Sequence, residues 1–187
     1  TQFDENDVSK PITGASSYTN ILPGIHTKYL ASENTIFRAA WTNTLARPNY
    51  VSLAPTRVVD LSDQTISTGN PNLKPTRSAN LDFMAEHYFK KVGIVSGGVF
   101  YKKIRDFIYT TSIQNYVDPI TGDLFLSATT PLNGPNANLI GFEVAFQRQL
   151  DFLPGFLKGL GIYVNYTYTG SDAEVVFFNE NTGKSSA

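Results

Sequence analysis

From Leu139 the chain reads LIGFEVAFQRQL. Ile140, Phe142, Val144 and Phe146 take alternate positions, with Gly141, Glu143, Ala145 and Gln147 between them. A period of two sends one set to each face of a strand, whereas a helix would gather residues three and four apart. The same pattern recurs along the chain. In GIYVNYTYT, Ile162, Val164, Tyr166 and Tyr168 oppose Tyr163, Asn165, Thr167 and Thr169. In ANLDFMAEHYF, Leu81, Phe83, Ala85 and Phe89 oppose Asn80, Asp82, Glu86 and Tyr88, and His87 falls on the apolar side near its end. TIFRAAWTNTLA sets Phe37, Ala39, Trp41 and Leu45 against Arg38, Ala40, Thr42 and Thr44. GIVSGGVFYKK sets Val95, Val99 and Tyr101 against Ser96, Gly98, Phe100 and Lys102, and GIHTKYLA from Gly24 is a shorter candidate. The periodicity predicts an all-β chain with strands at about 24–31, 35–46, 78–89, 93–109, 139–150 and 161–169.

The links between these segments alternate in length. SEN at Ser32 and KKV at Lys90 are short, and DFLPGFLKG from Asp151 is long enough for one helical turn. The stretches at about 47–77 and 111–136 are long. The first long link begins where Pro48, which cannot donate to a ladder, also restrains Arg47, so the strand ends there. In the second, Pro119 and Gly122 within VDPITGDLF predict a hairpin standing up from the loop. With every second link long, all short turns fall at one end of an antiparallel up-and-down sheet and all long loops at the other. Transmembrane β-barrels have that asymmetry. No shift in composition marks a domain boundary, and the chain reads as one architecture from 1 to 187.

Composition narrows the choice. Charged residues make up 17% of the 187, below the ~25% usual in soluble domains. Aromatic residues make up 13%, with Tyr and Trp mostly on the apolar faces, as an interfacial girdle requires. A soluble β-sandwich also has one apolar face per strand and stays open on periodicity alone. A net charge of -1 offers no basic excess for phosphates, which sets nucleic acid aside as a partner. With no Cys there is neither a disulfide framework nor a thiolate metal site. No apolar run reaches the ~18 residues of a membrane helix.

Several pieces are familiar in order: FRAAWTNTLARPNYVSLAP, GNPNLKPTRSANLDFMAEHYF, GGVFYKKIRDFIY, and NGPNANLIGFEVAFQRQLDFLPGFLKGLGIYVNYTYTGSDA. They resemble successive parts of the barrel of TonB-dependent outer-membrane receptors, most closely those of Bacteroidetes-type bacteria, over about Ser17 to Ala173. The resemblance implies a plugged barrel of about 22 strands, of which six would be an internal piece of wall. It implies location in the bacterial outer membrane, with outer-membrane lipid, TonB, the plug domain and a small-molecule or glycan ligand as partners. It implies import of a scarce ligand, such as an iron chelate, cobalamin or a glycan, with no covalent reaction and no cofactor. It also implies that Thr1 to about Tyr18, the residues after Gly170 and both long loops lie on the outer side. Arg38, Asp82, Glu86, Lys102 and Glu143 would then face the lumen. A passive porin and a soluble β-rich binding or adhesion module are the alternatives.

Residues with chemistry are sparse. His26 and His87 stand in separate strands without a carboxylate at metal-ligand spacing, and read as isolated histidines. TGKSS from Thr182 lacks the upstream Gly of a phosphate loop, since Phe178 occupies that place. Asn165 heads a formal glycosylation acceptor, NYT, but inside a predicted strand. Asp118 and Asp123 suit a turn as well as acid–base work, and no Ser, His and acid set assembles, so no enzyme is indicated. Asn49, Tyr50, Asn70, Asn72, Asn133 and Asn136 crowd the long loops. Amides and rings of that kind contact sugars, chelates or peptides, and equally serve as turn and cap residues.

Overall fold

A computed structural model describes residues 19–174, together with β11 (Phe177–Phe178) and β12 (Ser185–Ser186), which pair with each other. Thr1 to Tyr18 and most of TGKSS lie outside the described residues. The chain divides into two compact units. One comprises residues 20–47, 75–107 and 134–187, and the other residues 1–19, 48–74 and 108–133. The single architecture expected from composition is therefore interrupted, because the two long links fold together into a unit of their own.

The larger unit is a six-stranded antiparallel sheet in the order β1-β2-β5-β6-β9-β10. Its strands are β1 (Gly24–Ser32), β2 (Thr35–Ala46), β5 (Thr76–Tyr88), β6 (Gly93–Arg105), β9 (Asn136–Gln149) and β10 (Gly161–Ala173). β2 ends at Ala46, just before Arg47 and Pro48. The short links behave as turns. Ser32 accepts the Asn34 N–H at 3.3 Å, Phe89 N–H reaches the Gly93 carbonyl at 3.0 Å, and Gly155–Gly159 forms one 3-10 turn. Among the described residues β1 and β10 each pair on one side only, so the sheet is open.

Register carries the alternation across every strand. Ile25 pairs with Trp41, Trp41 with Leu81, Leu81 with Tyr101, and Tyr101 with Ile140. Along the next rung Thr27, Ala39, Phe83, Val99, Phe142 and Tyr168 run in sequence. A slip of one residue anywhere would mix the faces, and none occurs in the interior of the sheet. Cross-strand rings knit the apolar face: Phe37 stacks on Phe83 at 6.1 Å, and Phe142 meets Tyr166 and Tyr168 at 5.8 Å each. Yet this face is bare. Ile25, Leu81, Val99, Ile140 and Val164 are between 52% and 61% exposed. A soluble sandwich would cover such a face with a second sheet, and contiguous apolar surface of this extent marks an interaction face.

The smaller unit holds the only buried apolar cluster among the described residues. Its sheet runs β3-β4-β8-β7, with β3 (Arg57–Asp60), β4 (Thr65–Thr68), β7 (Ile108–Val117) and β8 (Leu124–Asn133). β4 and β8 are parallel, Ile66 beside Ala128, and the other pairs are antiparallel. Ile66, Phe125 and Ala128 are buried, with Val59 and Tyr116 against them. The hairpin expected around Pro119 and Gly122 is the β7–β8 turn. There Gly122 takes φ +78 and donates to the Asp118 carbonyl at 2.8 Å. The strand expected over 93–109 is broken: β6 ends at Arg105, Asp106 adopts φ +55, and β7 begins in the other sheet. Likewise the link at 47–77 is not loop throughout, since it carries α1 (Tyr50–Leu53), β3 and β4.

Candidate functional site

The polar face of the six-stranded sheet is one candidate. Arg38, Asp82, Glu86, Lys102 and Glu143 all lie on it, because Arg38 pairs with Met84, Asn80 with Lys102 and Gly98 with Glu143. Arg38 reaches across the diagonal to Glu86 with two bonds, Nε to Oε1 at 2.9 Å and Nη2 to Oε2 at 3.3 Å. The Tyr88 hydroxyl donates to the same carboxylate at 3.0 Å. Such a fork fixes both side chains in orientation as well as in charge. Among the described residues Asp82, Lys102 and Glu143 make no ion pair.

Small residues open space around these charges. One depression of about 300 Å³ is lined by His26, Lys28, Arg38, Ala40, Asp82 and Met84. A second, of about 320 Å³, has Ser96, Gly98, Glu143, Tyr163, Asn165 and Thr167 in its wall. Both are open recesses; the wall of the first is mainly apolar, and only the second is lined more by polar than by apolar surface. Asn80 is the buried polar residue of the face. Its amide donates to the Thr42 and Thr44 hydroxyls at 3.2 and 3.3 Å, and its oxygen accepts from Ser78 at 2.7 Å. This knot ties β2 to β5.

The loop candidates divide by what their side chains already do. Asn49 caps α1, accepting the Val51 N–H at 3.0 Å. Asn70 donates to the Pro131 carbonyl and accepts the Asn72 N–H, both at 3.0 Å. Asn133 clasps the Lys74 backbone, with bonds of 2.8 and 3.0 Å. These three amides brace the smaller unit, as turn and cap residues do. Tyr50 is 84% exposed and Asn72 is exposed too, so their side chains face solvent. Asn136 opens β9 beside Arg105, and its carbonyl accepts the Glu174 N–H. Five of the six thus belong to the smaller unit and Asn136 to the larger.

Asp118, read from sequence as a turn residue, is one, but it also anchors Arg57. The carboxylate is buried, accepts the Ile120 N–H at 3.1 Å and the Thr121 hydroxyl at 2.9 Å, and forms an ion pair with Arg57. Burial pushes its pKa up, and those two bonds together with Arg57 outweigh it, leaving the carboxyl below its ordinary range. Arg57 lay outside the sequence reading, since nothing local links residues 61 apart. Among the described residues no group of three His, Cys, Asp or Glu gathers as a metal site would. Among the described residues no helix is long and apolar enough to cross a membrane, which leaves crossing by strands untouched.

The family described as TonB dependent receptor-like, beta-barrel, matches residues 1–186. No curated protein matches the chain. Among solved structures, the siderophore receptor PirA from Pseudomonas aeruginosa superposes with a TM-score of 0.62 at 18% identity, over 82% of this chain and 26% of that one. A variant of the ferric enterobactin receptor PfeA from the same organism gives 0.62 at 17% identity, over 80% of this chain and 22% of that one. The chain therefore spans about a quarter of the length of these structures. Identities this low show a shared fold.

Proposed function

The chain belongs to the TonB-dependent receptor β-barrel family, and on that premise we propose that it is part of the wall and outer loops of an outer-membrane active transporter. The transporter binds a scarce ligand outside the cell and imports it with energy passed through TonB. The wall's polar face lines the lumen against the plug, its apolar face meets lipid, and the two long links are its outer loops. Catalysis has no part in this reading.

The observation that carries it is the height of the apolar face. On β9 that face runs from Phe146 to Ile140 and is bounded by Arg148 and Asn138 on the same side. The ten steps from Arg148 to Asn138, at ~3.4 Å each and tilted by ~40°, set these polar borders ~26 Å apart around an all-apolar stretch of ~16 Å, on the scale of the ~25 Å apolar band of membrane barrels. On the rung of Asn138 the same side turns polar in other strands as well, with Asn43 on β2, Lys103 on β6 and Asp172 on β10, while β5 carries Ala79 there. Trp41 and Tyr101 occupy the last apolar rung, where an aromatic girdle belongs.

The ligand is of the iron-chelate, cobalamin or glycan type, and the ferric siderophores named for the two similar structures are the first to try. The test is fractionation of the source cells with an antibody to this segment, followed by growth of a deletion strain on each ligand class as sole source. A heat-modifiable outer-membrane band several times heavier than 20.6 kDa, with growth lost on one class, is expected. A soluble band near 20.6 kDa overturns the proposal.

A further inference from the structure

At the short-turn end of the sheet one residue breaks the apolar face. Arg148 follows Ile140, Phe142, Val144 and Phe146 at the same alternate spacing and pairs with Gly93 and Ile162, so it extends that face by one rung. Its guanidinium carbon lies 5.0 Å from the Phe89 ring centroid and 5.3 Å from that of Phe152. Phe89 is itself fixed edge-on to Phe146 at 6.1 Å and to His87 at 5.6 Å. Gly93 leaves the room for this packing: a Cβ there would come within 3.0 Å of the Phe89 ring and 3.2 Å of the Arg148 Cα.

Contact with two rings holds the guanidinium while leaving its donors unspent. Among the described residues no carboxylate pairs with it and no hydrogen bond occupies it. The neighbouring acid, Asp151, is taken by Lys91 at 2.8 Å; that hydrogen bond holds its carboxyl below the ordinary range, and Arg148 adds a weaker Coulombic pull without bonding it. Lys90, Lys91 and Lys158 stand in the adjoining turns against Asp151 alone. A half-buried cation with free, oriented donors, at the rim of an apolar band and in a basic surround, has the chemistry of a phosphate ligand.

We propose that Arg148 binds the phosphate of a membrane phospholipid whose acyl chains lie along the apolar face above it, with Phe89 and Phe152 as the floor of the headgroup site. The inference rests on the membrane-barrel reading and gives the wall one specific lipid partner in the leaflet nearest the short turns. The rings serve twice: they orient the guanidinium, and they fill the interfacial layer where aromatic side chains are favoured.

The test uses the full-length protein purified in mild detergent and titrated with dioleoylphosphatidylglycerol, with retained lipid counted by native mass spectrometry. Arg148→Gln is expected to weaken the tightest lipid about fivefold or more. Lys158→Gln, the same charge change without a ring contact, is expected to leave it within about twofold. Equal binding by Arg148→Gln and wild type overturns the site, as do equal losses in the two variants. Competition by inorganic phosphate at matched concentration also overturns it, since the site would then take free phosphate. If Arg148→Gln does not assemble, Phe152→Leu removes one ring from outside the strands and carries the same expectation. A normal barrel indifferent to Arg148 defeats only this site, whereas a soluble wild-type protein defeats the barrel reading and the site with it.

Discussion

Replacing Val144 by Lys puts a charge on the apolar face near the middle of its height. Val144 pairs with Gly97 on β6 and Tyr166 on β10, and lies about four residues from Arg148, so roughly 10 Å above that rim and within ~3 Å of the midplane. A basic residue there costs ~2–4 kcal/mol, falling to ~0–1 near either interface. At ~1.4 kcal/mol per decade, Val144→Lys should lower the folded-to-unfolded ratio in lipid vesicles by roughly 30- to 700-fold. The matched control is Asn165→Lys. Asn165 is one residue from Tyr166 on β10 and pairs with Ala145, so it shares the depth but has the opposite face. It should stay within about 0.5 kcal/mol of wild type. The assay is denaturant-induced unfolding of the full-length protein in vesicles, read as the heat-modifiable band. Equal losses, or a larger loss for Asn165→Lys, would refute the assignment of faces.

Other expectations follow from single contacts. A double-mutant cycle on Arg38→Ala and Glu86→Ala should give a small favourable coupling, small because the Arg38 side chain is 45% exposed; strictly additive losses would show that the fork contributes no net stability. Gly141→Val should cost at least ~1–3 kcal/mol, since a Cβ at Gly141 overlaps the Tyr168 carbonyl and the Phe100 ring, whereas Gly159→Ala meets nothing and should be neutral; thermal unfolding compares them. Because the folded Asp118 carboxyl sits below its unfolded value, its contribution is complete above about pH 4 and drains away as pH falls through the folded pKa. Hydrogen-exchange protection at β3 and β7, taken relative to intrinsic rates, should therefore fall below about pH 4, and Asp118→Asn should remove that acid dependence; an unchanged profile would sink the linkage.

What local sequence reveals here is the faces, not the partners. The six long strands were legible because each keeps its own alternation, and register only had to align them. The end of β2 was legible from Pro48, and the β7–β8 hairpin from Pro119 and Gly122. The end of β6 was not, because apolar residues continue through IRDFIY while the chain changes sheets at Asp106, whose left-handed conformation is open to Asp as to Gly. The parallel pairing of β4 with β8 and the Arg57–Asp118 pair join residues about 60 apart, beyond any local signal. The Arg38–Glu86 fork was missed for a subtler reason: register sets Ile36, not Arg38, opposite Glu86, so the two meet only on the diagonal.

The distribution of burial inverts that of a soluble domain, and that inversion ties fold to function. The longest and most regular strands leave their apolar residues uncovered, while Ile66, Phe125 and Ala128, from segments that read as loops, are buried. Hydrophobic burial from water is what holds the loop sheet together, around its own core and an ion pair buried on the Asp118 side only. Among the described residues the six-stranded sheet has no such source of stability. Its backbone bonds are satisfied between strands, its apolar face needs a non-aqueous solvent, and its two edge strands need further strands, since unpaired backbone groups do not persist in a bilayer. Each of those needs is met by the same surroundings, the continued wall of a barrel in a membrane. The soluble binding module would have to find a covering sheet and two edge partners separately, and so is the weaker account of the same fold.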